Sequence, residues 1–307
     1  MDLRARFRRQ IEEVVGRHDD PATYGGAPGD PGLCGGPRSI SWEVNGHLGS
    51  VFAAGLGAIV MEVLHPSVMD GVYTQSSYRT QPQRRAQETL GYVLRTTFGN
   101  TEAATAIIER VKRIHGRVGG TRADGVAYRA LDPDLIAWVH TCIPWSVVTA
   151  FDRYARPLST DEKDRYLREQ AVVGRMGGAE WVPESVAELD AYVERMRPLM
   201  AMTEQTRDFV GFLVGDTEGE FHAGRREQLQ RRLDLAASMT LMPKWARHLT
   251  GTYQPWAVQK AYLEPSVRLQ CRLVGWAYPE APCRALALAR ATASPASPSA
   301  TAVSAAS

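Results

Sequence analysis

Apolar residues recur at intervals of three and four along most of the chain, and clear alternation with period two is absent. That pattern predicts helices almost everywhere. The sharpest stripe is Ile107, Ile108, Val111, Ile114, His115 and Val118. It follows Gly99-Asn100-Thr101, where Asn100 or Thr101 can accept from the free N–H groups of a first turn, and it stops at Gly119-Gly120. Asp132-Pro133 opens another helix with the stripe Ile136, His140, Ile143, Val147, and Pro144 predicts a kink in it. Pro82 opens a helix bearing Arg85 and Thr89. Ser159 to Glu162 reads as a capping box for a helix through about Gln170, and further helices are predicted near 184–198, 203–215, 224–238 and 255–274. The expected fold class is all-α, as a single multi-helix domain.

The uncharged run from Leu48 to Met61 covers 14 residues. It is short of the roughly 18 to 20 that cross a bilayer, so it is expected to be a buried core helix and no transmembrane segment is predicted. Residues 1–39 combine a basic amphipathic helix with a Gly/Pro-rich segment, Gly25 to Pro37, read as an ordered loop or lid. The main domain is placed at 40–285. From Ala291 to Ser307 the chain is Ala, Ser, Thr and Pro with Val303 as its one larger aliphatic residue, which predicts a disordered tail.

Across 307 residues, 36 Lys plus Arg stand against 34 Asp plus Glu, a balance too even to argue for nucleic acid as the main partner. Cys34, Cys142, Cys271 and Cys283 lie far apart with no CxxC pair, which excludes a zinc cluster or dithiol motif and favours reduced thiols. The charged N-terminal stretch lacks the apolar core of a secretory signal, so a cytoplasmic location is expected.

Glycine-rich nucleotide loops, HExxH and GxSxG are all absent from the sequence, so candidate chemistry rests on the histidines. His115 lies in an apolar stripe, either as a buried neutral histidine or as a metal or haem ligand. Haem in a helical protein needs one neutral imidazole facing an apolar pocket with cations nearby, and Lys112, Arg113 and Arg117 flank His115. Arg85 and Thr89, four apart, share a helix face. They form either a solvated turn with the hydroxyl bonded back to a carbonyl, or an anion anchor and a hydroxyl beside a bound oxygen ligand.

The order Leu64-His65-Pro66, Gly71-Val72, Pro82-x-x-Arg85-x-x-x-Thr89, Phe98-Gly99, Arg113-Ile114-His115-Gly116-x-Val118 and Asp132-Pro133-x-Leu135-x-x-Trp138-Val139-His140 resembles the catalytic domain shared by MpaB and the latex-clearing rubber oxygenases. The likeness covers roughly residues 40 to 250. It implies haem b in a globin-like helical core, His115 as proximal iron ligand, Arg85 and Thr89 as signature residues at the haem, and a supporting pocket role for His140. His65 reads as a helix-end residue.

Two departures matter. Glu88 precedes the signature threonine where the latex-clearing enzymes carry a lysine able to reach the iron, so distal lysine ligation does not carry over. Gln75-Ser76 replaces a histidine-serine pair found in many relatives. The leading expectation is a haem-dependent oxygenase or oxidase using dioxygen or peroxide on a small, largely apolar metabolite. A carboxylate among Glu62, Asp70 and Glu88 is the candidate base. The rivals are a haem-binding carrier or gas sensor, and a cofactor-free helical interaction protein.

Overall fold

The computed structural model describes residues 2–216 and 223–294. Helices α1 (Leu3–Val15) and α2 (Pro21–Tyr24) precede a bent pair, α3 (Ile40–Gly46) and α4 (Leu48–Val63). Then come α5 (Pro66–Gln75), α6 (Pro82–Phe98), α7 (Thr101–His115), a hairpin of β1 (Gly119–Thr121) and β2 (Ala127–Arg129), α8 (Pro133–Tyr154) and α9 (Thr160–Gly177). The remainder is α10 (Val186–Met196), α11 (Glu204–Val214), α12 (Arg225–Met239), α13 (Lys244–Leu249), α14 (Trp256–Val258), α15 (Glu264–Ala277) and α16 (Pro282–Thr292). The all-α class is borne out, with one short antiparallel hairpin that period-two reasoning did not anticipate.

The helix starts follow local chemistry. Asn100 accepts from the Ala103 N–H to cap α7, Asp132 accepts from Asp134 to cap α8, and Ser159 with Glu162 closes the expected capping box on α9. His65 caps α5, its Nδ1 accepting from the Ser67 N–H at 3.3 Å, in keeping with a helix-end role. His47 does the same for α4 where the chain turns by 80° between α3 and α4.

The core forms around α4 and α8. Val60, Met61 and Leu64 pack with Trp138, Cys142 and Val148 in one cluster. The run 48–61 is thus a core helix. Gly49 lets α15 close on it, because a Cβ there would lie 2.8 Å from the Cα of Cys271. One described helix, α8, is long and apolar enough to cross a membrane by length and composition, and 61% of its apolar window is buried inside the protein.

Two boundaries differ from expectation. Helix α9 runs on past Gln170 to Gly177, and Ala291 and Thr292 belong to α16 rather than to a tail. Ala291 packs against the cluster of Tyr24, Trp42 and Phe98. Residues 295–307 of the expected tail lie outside the described residues. The Gly25 to Pro37 segment is an ordered brace. Arg290, buried at its centre, donates to the carbonyls of Tyr24, Asp30 and Phe98, while Asp30 accepts from Thr101 at the start of α7.

Candidate active site

Glu62 stands in the last turn of α4. Its Oε1 is buried and takes no hydrogen bond among the described residues. Burial pushes its carboxyl up to about 8, with the nearby Arg85 charge opposing the rise. The same carboxylate raises the buried Cys142 thiol of α8, whose own burial is the larger cause. Trp138 of α8, fully buried, donates from Nε1 to the Glu62 carbonyl at 3.3 Å and so ties the two central helices at this level.

The other two carboxylates are committed elsewhere. Asp70 accepts from Gln205 Nε2 at 3.0 Å. Glu88 accepts from Arg84 and Arg85, and although partial burial opposes them, these bonds hold it below the usual carboxylate range. The structure therefore separates three carboxylates that are equivalent in sequence terms. Only Glu62 among them combines a buried carboxyl oxygen without a partner and a raised affinity for its proton.

Arg85, on the first turns of α6, bonds Glu88 at 2.9 Å, and the Thr89 hydroxyl donates back to the Arg85 carbonyl at 3.0 Å. The Arg85 charge also reaches His115 at the end of α7. There burial, first, and Arg85, second, hold the imidazole below its ordinary value. His115 is half-buried and therefore neutral at physiological pH, and neither ring nitrogen has a hydrogen-bond partner among the described residues. Arg85 is thus the electrostatic link between the α4 carboxyl and the α7 imidazole.

Along α4, Val51, Ala54, Ala58 and Met61 are fully covered, whereas Phe52, Gly55, Leu56, Ile59 and Glu62 keep accessible surface. The second set is spaced three and four apart, so it forms one face leading to Glu62. Gly55 on that face has nothing within 4 Å of where a Cβ would stand. Near its Phe52 end, Phe52 and Leu90 help to wall a pocket of about 40 Å³.

His140 sits apart from this group in function. Burial drives its imidazole down to about 4 while the Gln170 carbonyl accepts a bond from it. Its ring lies flat on Gly174, one helical turn after Gln170. A Cβ at Gly174 would meet His140 Cδ2 at 2.6 Å and Nε2 at 2.9 Å. Gly174 was missed by sequence reasoning, and its only signal there is a glycine inside a helical pattern. In an exposed helix Gly→Ala stabilises by up to about 1 kcal/mol. Here the ring would have to shift to admit the methyl group, so Gly174→Ala is expected to destabilise by about 1 to 3 kcal/mol in urea unfolding. A stabilised variant would show that the α8–α9 contact is loose.

Taken together, the fold and these residues define an all-α protein in which α4 carries a partly buried carboxyl, α6 an arginine and α7 a neutral imidazole. The chain belongs to the family of the ER-bound oxygenase mpaB/B' and rubber oxygenase catalytic domain, whose family model matches residues 42–276. No curated protein and no solved structure matches the chain.

Proposed function

We propose that the protein is a haem b-dependent oxygenase of a small, largely apolar metabolite, with His115 as the iron ligand. What supports this reading is the match to a family of oxygenase catalytic domains, joined to a half-buried imidazole on α7 and a buried, unpartnered carboxyl oxygen on α4. The donor set fits the group. A porphyrin fills most of the coordination of its iron itself and asks the chain for one neutral imidazole. His115 offers the single neutral, unpartnered imidazole such a chelate requires. The apolar face of α4, opened at Gly55, offers a wall without polar groups until Glu62.

When bound, the haem iron supplies dioxygen or peroxide activation that side chains cannot perform. The chain's own residues do the rest. His115 fixes the cofactor, with Arg85 free to exchange Glu88 for a propionate and Thr89 one turn further along the same helix. His140, held by Gln170 and Gly174, stiffens the α8 wall rather than offering its ring to a ligand. Glu62 titrates near 8, so its neutral form prevails near neutral pH, and it is the ionised fraction, growing as pH rises toward 8, whose Oε1 can accept a proton from an allylic carbon. Phe52, Leu56 and Ile59 exclude water around a hydrocarbon substrate.

Protein expressed with adequate haem supply is expected to show a Soret band and a pyridine haemochrome of haem b at one equivalent per chain. Reduced protein in air should consume an added isoprenoid. No Soret band would overturn the reading, and a stable oxygen complex without substrate loss would convert it to a carrier or sensor.

A further inference from the structure

Seven of the fifteen large hydrophobic side chains exposed among the described residues lie on α1 and on the run from α14 to α15. Leu269, Leu273 and Trp276 follow one another at four and three residues and so share one face of α15, and Tyr262 precedes them in the π-helical turn Gln259–Leu263. Trp256 and Val258 stand at the start of the run, and Leu3 of α1 is 71% exposed at its other end. Phe7 of α1 meets Trp276 with ring centroids 6.5 Å apart, which makes the patch continuous across the two helices. The fold does not need this outer face. Val267, Cys271, Val274 and Ala277 already bury the inner face of α15, with Leu263 buried just before it.

Charge decides what covers it. Arg268 and Arg272 flank the apolar face, are exposed, and have no partner among the described residues; Arg6 of α1 is likewise exposed and unpaired. No Asp or Glu occurs between Pro265 and Ala277. A second copy laid face to face would bring these unpaired arginines against each other, which costs energy in a low-dielectric contact. A negatively charged lipid surface satisfies both halves of the pattern. Tryptophan, tyrosine and leucine enter the boundary between headgroups and acyl chains, and the arginines reach the phosphates and carboxylates above it.

We propose that the α1–α15 face is a docking surface for an anionic lipid bilayer, on which the protein lies without crossing it. The proposal is independent of the haem site. Full-length protein is expected to co-sediment with vesicles of phosphatidylcholine and phosphatidylserine, to bind phosphatidylcholine vesicles far less, and to be released as salt is raised. Arg268→Gln with Arg272→Gln should weaken binding by about 25-fold, roughly fivefold for each arginine near the surface. Leu269→Ser should weaken it as well while leaving helicity and melting temperature unchanged, because its side chain faces away from the core. The tryptophan emission should shift to the blue on binding.

Failure of the full chain to bind the mixed vesicles would overturn the proposal, as would binding by both variants at the wild-type level. A dimer in analytical ultracentrifugation that Leu269→Ser dissolves, with no vesicle binding, would instead assign the face to a second copy.

Discussion

Glu62→Gln is expected to flatten the alkaline loss of stability and to remove turnover together. In the folded chain the carboxyl titrates near 8 against an ordinary value of 4.5, so between these limits the folded protein holds a proton that the unfolded chain has released. Stability therefore falls as pH rises from 4.5 toward 8 and levels off above it. At 1.36 kcal/mol per pH unit the interval sets an upper bound of about 5 kcal/mol, reduced in practice by relaxation and water entry. Glutamine keeps the shape and cannot ionise, so the variant should hold its stability across that window. Urea unfolding of cofactor-free protein at several pH values between 4.5 and 9 measures the difference, and parallel curves for the two proteins would refute the buried-carboxyl assignment. Arg85→Ala gives the complementary result. Its charge is what opposes burial at Glu62, so its loss should move the titration further up and extend the alkaline loss of stability to higher pH.

The sequence and the structure agree where the signal is local. Asn100, Asp132 and Ser159 cap their helices through bonds that span two or three residues, and such bonds follow from residue type and order alone. The apolar stripe that singles out His115 is local in the same sense. What escaped is set by contacts between distant segments. Glu62, Asp70 and Glu88 read alike along the chain, and they differ because α8 covers the first, Gln205 engages the second and two arginines hold the third at the surface. Helix α9 passes Gln170 because Gly174 is filled from outside by His140, so a residue that weakens an isolated helix is accommodated by tertiary packing. The hairpin after α7 is three residues on each side, too short for alternation to register. Family resemblance supplied what neither periodicity nor spacing could, namely the order of Arg85, Thr89, His115 and His140 as parts of one domain, and the matched span 42–276 agrees with that recognition.

On the proposed function, His115→Ala is expected to lose haem. An imidazole that is neutral, half-buried and without a hydrogen-bond partner is free to give its lone pair to iron, and alanine leaves only apolar packing and the Arg85 charge to retain the cofactor. If the iron–nitrogen bond contributes more than about 1.4 kcal/mol to retention, haem affinity falls at least tenfold. Haem transfer to an acceptor protein measures the loss directly, and the axial-ligand spectrum reports it independently of activity. The decisive contrast is His140→Ala. Its ring is already engaged by the Gln170 carbonyl and pressed on Gly174, so that variant should lower stability while keeping the wild-type axial-ligand signature. His115→Gly supplied with free imidazole separates ligation from folding. Recovery of the wild-type spectrum places the missing group at the iron, because small-molecule imidazole can replace a ligand but cannot restore a helix end. Unchanged haem content and spectrum in His115→Ala, or the loss of the axial signature in His140→Ala instead, would move the ligand from α7 to α8 and overturn the assignment.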